Sequence, residues 1–376
     1  MRLLHTSDWH LGRSLHGMDL LAHQAAYLDH LVELARAERV DAVLVAGDVY
    51  DRAVPAVEAV TLLADALARL SELATVVVTS GNHDSAARLG FGAALMRERV
   101  RLRTRVAEVG ASVVVGDALV YGLPFLEPDF ARAQLAEGGD LLARSHEAVL
   151  GEAMRRVRAD RAARRERRAV VMAHAFVTGG AASESERDIR VGGVDQVPAG
   201  VFAGMDYVAL GHLHGPQQVA PGVRYSGSPL AYSFSEQRQH KSTALVDLSG
   251  DGVLVELVPA PVPRALSDVT GTLEEVLGPR FEGQTDDWVR VTVTDAHRPA
   301  DLQPRVRARF AHALQVLHVP AEGAGVSRAV EVGAASDPFE VALDFVHHVT
   351  GAPASPDEAA VLRGAYEDVC AGQRSA

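Results

Sequence analysis

Cysteine, lysine and long apolar runs are all scarce in this 376-residue chain. Its one cysteine, Cys370, cannot close an internal disulfide and excludes thiolate metal clusters, so a reducing compartment is expected and any metal must be held by oxygen and nitrogen. Its one lysine, Lys241, leaves arginine to carry almost all of the positive charge. No stretch approaches the roughly 20 apolar residues of a membrane-spanning helix. The segment Met1 to Gly12 has no basic, apolar and small-residue pattern of a cleaved leader, so a chain mature from its first residue, cytoplasmic and without a membrane partner, is expected. Internal repeats and extended low-complexity segments are missing too, and no Walker-type phosphate loop is apparent.

What is present suits a globular protein: 48% hydrophobic residues over this length can build one large domain and a smaller one. The formal charge of -12 runs against nucleic-acid binding, which draws on cations that displace counterions. Arginines nevertheless cluster at Arg97, Arg99, Arg101, Arg103 and Arg105, and again at Arg155, Arg156, Arg158, Arg161, Arg164, Arg165, Arg167 and Arg168. The second cluster reads either as a solvated helix face or as a patch facing DNA or a partner.

Short apolar runs alternate with helical patterns through the first half, which points to an α/β sandwich. Arg2 to Thr6, Asp41 to Ala46, Thr75 to Ser80, Ala169 to Ala173 and Tyr207 to Leu210 read as buried strands, each followed by a polar, Gly-rich or His-rich loop. The stripe Leu21, Ala25, Leu28, Val32 and Ala35 predicts a helix over Asp19 to Glu38, and Pro55 to Leu73 reads the same way. Ser242 to Leu248 and Val253 to Val258 form a hairpin pattern around Gly250-Asp251-Gly252. Three prolines in Pro259 to Pro263 then break the chain. The expected organisation is a large domain over 1–258, a linker over 259–263, a small α+β domain over 264–335 and C-terminal helices over 336–376. Within the small domain, Thr272 to Leu277 and Asp301 to Leu314 read as helices, and Trp288 to Thr294 and Gln315 to Val319 as strands. Asp337 to Thr350 and Ser355 to Gly372 read as the tail helices.

Chemistry gathers in the loops after the five strands. They hold Asp8 and His10 in Asp-Trp-His-Leu-Gly, Asp48 in Gly-Asp-Val-Tyr-Asp, Asn82, His83 and Asp84 in Gly-Asn-His-Asp, His174, and His212 and His214 in Gly-His-Leu-His. Carboxylate and neutral imidazole suit borderline divalent metals, and there are enough of these groups for two ions. Singly, an Asp at a strand end is a turn former and a His is a core residue; five such loops in one order make a metal site. The remaining histidines, His5 and His146 among them, have no such setting and are assigned no role.

This order of motifs resembles the calcineurin-like metallophosphoesterases. Thr-Ser-Asp-Trp-His-Leu-Gly from Thr6, Gly-Asp-Val-Tyr-Asp-Arg from Gly47, Ser-Gly-Asn-His-Asp-Ser from Ser80, Asp-Tyr-Val-Ala-Leu-Gly-His-Leu-His from Asp206, and Arg-Tyr-Ser-Gly-Ser-Pro-Leu from Arg224 with Ser-Phe-Ser-Glu soon after resemble its SbcD branch. These are nuclease subunits of bacterial double-strand-break complexes. The resemblance implies a four-layer αββα sandwich with a small capping domain and a helical tail. It implies one metal among Asp8, His10, Asp48 and His214 and another among Asp48, Asn82, His174 and His212, with Asp48 bridging. It also implies His83 as the catalytic group facing the leaving oxygen, with Asp84 orienting its ring.

Manganese, 3′ to 5′ exonuclease and hairpin or single-strand endonuclease activity on DNA, a homodimer, and an SbcC-type ATPase partner with long coiled coils docked on the tail all follow from the same resemblance. Where archaeal and eukaryotic relatives carry a histidine, this chain has Asp51, as bacterial members do, and its role stays open. A phosphatase for small molecules or phosphoproteins could use the same metal groups, but the small domain and the match from Asp206 to Glu236 argue against it. A scaffold that has lost the chemistry is opposed by the complete set of ligand types.

Overall fold

The computed structural model describes residues 1–376 except 97–98, 138–139, 165–167, 187–195, 251, 322–336, 351 and 375–376. Arg97, Arg165 and Arg167, and the boundary drawn between 335 and 336, lie outside the described residues, as does the side chain of Cys370. The chain divides into two compact units, Met1–Leu266 and Ser267–Ala376. Among the described residues no helix is long and apolar enough to cross a membrane.

In the first unit, β1 (Arg2–Thr6), β2 (Ala42–Ala46), β3 (Thr75–Thr79) and β4 (Val100–Arg103) run parallel. The chain then builds a second sheet from β5 (Val113–Val115), β6 (Ala118–Gly122), β7 (Arg168–His174), β8 (Tyr207–Gly211), β9 (Gln217–Ala220) and β10 (Val223–Tyr225). It returns through β11 (Ser242–Asp247) and β12 (Leu254–Pro259) to the first sheet, on the antiparallel side of β1. The orders are β12-β11-β1-β2-β3-β4 and β9-β10-β8-β7-β6-β5. Pro259, the first residue of the expected linker, ends β12 opposite Ser242, at a strand end where its missing N–H costs the sheet least.

Strand periodicity decides the layers, because alternate residues of a strand face opposite sides. Val43 and Val45 of β2 and Val76 and Val78 of β3 pack with Leu28, Leu31 and Val32 of α1 (Leu21–Glu38) and Leu63 and Leu70 of α2 (Val57–Leu73). Their neighbours Leu44, Ala46 and Val77 face the other way and meet Val170, Met172, Tyr207 and Ala209 of the second sheet. On that sheet's outer side, Val171, Ala173, Val208 and Leu210 pack with Ala131 and Leu135 of α3 (Pro128–Leu135) and Val149, Ala153 and Val157 of α4 (His146–Ala163). The result is four layers, helix, sheet, sheet, helix. The strands buried on both faces read as continuous apolar runs, as parallel strands do.

The second unit has a sheet ordered β13 (Leu266–Gly271), β14 (Trp288–Val293), β15 (Ala313–His318), with α5 (Leu273–Leu277) and α6 (Leu302–Arg309). Thr272 and Glu275 close a capping box at the start of α5. The helix expected over Asp301 to Leu314 stops at Arg309. Phe310 is fully buried and turns the chain, and Ala313 pairs in parallel with Val289, so sheet pairing overrides the helix propensity of the Ala-rich stretch. Asp19, expected inside the first helix, instead pairs with Ser14 and accepts the Leu21 N–H at 2.8 Å. The tail is two helices, α7 (Pro338–Thr350) and α8 (Pro356–Arg374), joined by Phe339 against Tyr366 with the Arg363 guanidinium 4.4 Å from the Phe339 ring.

The arginine clusters resolve into structure. Arg99 donates to the Glu72 carbonyl at the end of α2, and Leu102 between Arg101 and Arg103 is buried in an edge strand. On α4, Arg155 and Arg156 pair with Glu152, Arg158 donates to the Val201 and Ala203 carbonyls, Arg161 binds Asp206, and Arg164, just past the helix end, binds Asp160. These partners are all within the chain's own fold, which supports the solvated-face reading; exposed pairs of this kind add little to stability because solvent screens them.

His5, which carried no sequence signal, is fully buried between the sheets, with Nδ1 2.9 Å from the Tyr207 hydroxyl and Nε2 3.1 Å from the Leu210 carbonyl oxygen. Burial lowers its pKa from 6.5 to about 3, so the folded chain keeps it neutral while the unfolded chain takes up a proton below pH 6.5. Stability from this group is therefore complete above pH 6.5 and falls with pH at up to about 1.4 kcal/mol per unit. In urea titrations between pH 7 and 4, His5→Gln should show a shallower loss of stability than the wild type; equal slopes would contradict this.

Candidate metal centre

Every expected ligand sits at or just past the carboxyl end of a parallel strand: Asp8 and His10 after β1, Asp48 after β2, Asn82 after β3, His174 at the end of β7, and His212 and His214 after β8. Strand ends of open α/β sheets are where backbone loops are free to converge. Here two sheets contribute to one centre. The first two loops run together through the Asp8 N–H to the Gly47 carbonyl (3.1 Å) and the His10 N–H to the Asp48 carbonyl (2.9 Å). The sheets are stitched by the His212 N–H on the Asp8 carboxylate (3.0 Å) and by His174 Nδ1 on the Ala46 carbonyl (3.0 Å). A Cβ on Gly211 would overlap the Ala46 carbonyl oxygen, and one on Gly81 would overlap Asp48, so both positions demand glycine by close approach.

The backbone is strained where the ligands sit. Asp8 (φ 54°), His10 (φ 45°), Asp48 (φ 48°) and His212 (φ 109°) all adopt positive φ without being glycine. Each such residue costs on the order of 1–3 kcal/mol, and such strain gathers at functional sites.

Asp48 is the hub. Its Oδ2 lies 3.4 Å from His174 Nε2, 3.6 Å from His10 Nε2 and 4.0 Å from His83 Nε2, while its Oδ1 accepts the His83 N–H at 2.9 Å. Three triads bring ligand atoms within 4.8 Å of one another: Asp8, His10 and His214; His10, Asp48 and His83; and Asp8, Asp48 and His174. Asn82 Oδ1 is 2.9 Å from His174 Nε2. His212 adjoins the group with its ring 5.4 Å from that of His174. Of these imidazoles His83 is the most exposed, at 9%.

Charge is poorly balanced in this pocket. Burial lifts Asp8 to about 6 against the pull of His174 and His214, and burial with the Asp48 charge lifts Asp84 to about 7. Burial lowers His10 to about 3, against Asp51, and drives His212 well below the usual range, aided by His174. Asp48 goes the other way: burial opposes its ionisation, but His174, His10 and His83 more than reverse that, and His174 is correspondingly raised.

Hydrogen bonding fixes which ring nitrogens carry protons, and so tests whether cations fit. A carbonyl only accepts, so His174 Nδ1, on Ala46, and His83 Nδ1, 2.8 Å from the Asp51 carbonyl, must be N–H. His10 Nδ1 faces the Asp51 carboxylate at 3.5 Å, and His214 Nδ1 lies 2.6 Å from Ser185 Oγ, which donates to Glu236. With Nδ1 carrying the proton, the inner Nε2 of each ring offers a lone pair whenever the ring is neutral. Those of His10 and His214 face each other at 3.2 Å, while His174, raised against its burial by the Asp48 charge, points its Nε2 at two oxygens, from Asn82 and Asp48, where a cation would take the place of its proton. Imidazole nitrogens and carboxylate oxygens gathered so closely in a dry pocket suit a cation among them. The donor set fits divalent cations held by oxygen and imidazole.

The ring of His83 is oriented differently from the expectation. Asp84 accepts three backbone N–H groups, of Val49 (3.1 Å), Tyr50 (2.9 Å) and Gly81 (2.9 Å), and so ties the second loop to the third. The His83 ring is held by the Asp51 main chain, while the Asp51 carboxylate serves His10 and lies 3.6 Å from Arg13. Asp51, whose role the sequence leaves open, thus touches the cluster with both its main chain and its carboxylate. Reading the sequence missed Glu236, Ser185 and the buried Lys241 behind His214. The signal for Lys241 was its being the only lysine in the chain.

Comparison with known proteins agrees with this geometry. Residues 1–216 match the calcineurin-like phosphoesterase family, and residues 262–350 match a domain described as the type 5 capsule protein repressor C-terminal domain. The fold and site define a calcineurin-like metallophosphoesterase, a metal-binding hydrolase. The SbcD subunit of the SbcCD nuclease of Staphylococcus saprophyticus is 31% identical over 286 residues, covering 75% of each chain. The chain belongs to the SbcD nuclease family. Among solved structures, a dimetal phosphatase from Danio rerio is 14% identical with a TM-score of 0.40, covering 69% of this chain and 96% of its own. The TT1561 protein of Thermus thermophilus is 14% identical with a TM-score of 0.38, covering 68% of this chain and 98% of its own.

Proposed function

We propose that this chain is the catalytic subunit of an SbcCD-type nuclease that hydrolyses DNA phosphodiester bonds at the centre around Asp48. The observation carrying the reading is that Asp8, His10, Asp48, His83, His174 and His214 form buried, overlapping triads whose ligand atoms lie within 4.8 Å of one another. Asp8, His10, Asp48 and His214 would hold one divalent cation and Asp48, Asn82, His174 and His212 a second. When bound, such cations neutralise a phosphodiester and lower the pKa of water from 15.7 toward about 7. Manganese is the proposed metal.

The residues do the rest. Asp48 supplies two oxygens at the centre of the cluster, and Asp8 adds a second carboxylate whose protonation is opposed by His174 and His214. His83, at the mouth with its Nδ1–H held by the Asp51 carbonyl, presents Nε2 to substrate; in its doubly protonated form it would give the Nε2 proton to the departing deoxyribose oxygen and be left neutral with Nδ1–H still on Asp51. Exonuclease action in the 3′ to 5′ direction on duplex ends and endonuclease action on hairpins or single strands are the activities proposed, in DNA repair and recombination in the cytoplasm.

Two exposed apolar surfaces fit the assembly. Val54, Val57, Val60, Phe91 and Leu95, near the start of α2 and the loop after the third motif, suit a homodimer contact. Phe345, Val349 and Val361 on the tail helices suit docking of an SbcC-type ATPase with long coiled coils, which would also supply basic DNA-binding surface that this acidic chain lacks. With bis-p-nitrophenyl phosphate as a generic diester, metal-stripped protein should be inert and Mn²⁺ should restore turnover. Turnover that survives chelation would refute the proposal.

A further inference from the structure

Behind His214 lies an ion pair that the reaction itself does not call on. Glu236 and Lys241 are 1% and 4% exposed and face each other directly. Burying two charges is costly, and a buried pair is weak evidence of a stabilising role in itself. What these two touch is therefore more informative than the pair. Lys241 Nζ donates to the main-chain carbonyl of His214 (2.9 Å), to Ser228 Oγ (2.9 Å) and to Gln239 Oε1 (2.7 Å) as well as to Glu236. Glu236 Oε1 in turn lies 3.3 Å from His214 Nδ1 and accepts from Ser185 Oγ, which is itself 2.6 Å from the same Nδ1. One buried ion pair thus grips His214 at both ends, by its backbone and by the outer nitrogen of its ring.

We infer that Glu236 and Lys241 are positioning residues for the His214 side of the metal centre. They keep the proton of the His214 ring on Nδ1 and the Nε2 lone pair aimed at His10. The inference rests on reading His214 as a metal ligand. A carboxylate that accepts the outer N–H of a ligating imidazole fixes its tautomer and makes the inner nitrogen more basic. Lys241 Nζ holds the other oxygen of Glu236, which leaves Oε1 turned toward the Ser185 hydroxyl and His214 Nδ1.

The choice of residue fits the task. In a chain whose other side-chain cations outside histidine are arginines, this position holds the one lysine, a compact ammonium whose three N–H are shared among four acceptors around a single nitrogen, a geometry a planar guanidinium does not offer. The segment Ser183–Glu186 completes the clamp. Glu186 Oε1 accepts the His214 N–H at 2.8 Å, and the Ser185 carbonyl accepts from Arg13 at 2.9 Å.

The test is a calorimetric titration of Mn²⁺ into the metal-stripped full chain, wild type against Glu236→Leu/Lys241→Met, which replaces the pair with apolar residues of similar size. The wild type should show two binding events. The double variant should lose about 10–100-fold in one event and keep the other, with its metal-free thermal midpoint near that of the wild type. A nitrogen-15 spectrum of the metal-free His214 ring should move from a proton on Nδ1 to a mixture of tautomers. Two unchanged events, or an unchanged tautomer, would overturn the inference, as would equal weakening of both events with a lowered midpoint, the mark of a merely structural pair. If the double variant does not fold, Ser185→Ala removes only the hydroxyl between ring and carboxylate. It should weaken the same single event, and no change there would overturn the inference. A wild type that binds no Mn²⁺ would sink the metal reading as well.

Discussion

Asp48→Asn should lower phosphodiester hydrolysis by about a thousandfold or more while leaving the fold intact. The asparagine is nearly the same size and its Oδ1 can still accept the His83 N–H, so the turn that carries the third loop survives. What goes is the charge that three imidazoles surround, within 3.4 to 4.0 Å of Oδ2. Charge placed in advance in a water-poor site is commonly the largest single contribution to catalysis, and removing one such interaction costs about 10²–10³ in rate. Asp48 is proposed to serve both cations, so the loss should reach or exceed the top of that range, and calorimetry should show both Mn²⁺ events weakened. A variant that binds two ions as the wild type does would remove Asp48 from the bridging role.

His83→Ala should separate chemistry from binding. The ring is the most exposed of the cluster's imidazoles, and its Nδ1 is committed to the Asp51 carbonyl. Mn²⁺ binding should therefore persist while cleavage of DNA falls by about 10²–10⁴, the usual worth of a positioned acid or base. The loss should be smaller on bis-p-nitrophenyl phosphate, because p-nitrophenolate leaves without being protonated and a deoxyribose alkoxide does not. Equal losses on the two substrates would mean that His83 acts before the leaving group departs, on substrate or water, and not as the acid assigned here.

Much of the centre could be read before the fold was known, because its groups sit in short motifs that follow apolar strands. Val76-Val77-Val78 followed by Gly-Asn-His-Asp announces both the strand and what its end carries. The outer contacts could not be read in that way. His174 and His83 are oriented by the main-chain carbonyls of Ala46 and Asp51, and a carbonyl has no sequence signature. The family resemblance implies Asp84 as the group that orients His83, yet three backbone N–H groups claim its carboxylate. In the second unit, the helix expected to reach Leu314 ends at Arg309 because pairing with the strand at Val289, distant in sequence, outweighs local propensity. The layers, by contrast, follow from alternation that is plain in strands such as Ala42–Ala46, once both faces are known to be buried.

The most direct test of the central claim is digestion of end-labelled duplex DNA by the metal-stripped chain, with and without Mn²⁺ and with the SbcC-type ATPase added. The account expects shortening of the duplex that requires Mn²⁺, is abolished by Asp48→Asn and is severely slowed in His83→Ala. Duplex DNA left intact by the wild type with Mn²⁺ and the ATPase both present, while the generic diester is still turned over, would contradict it.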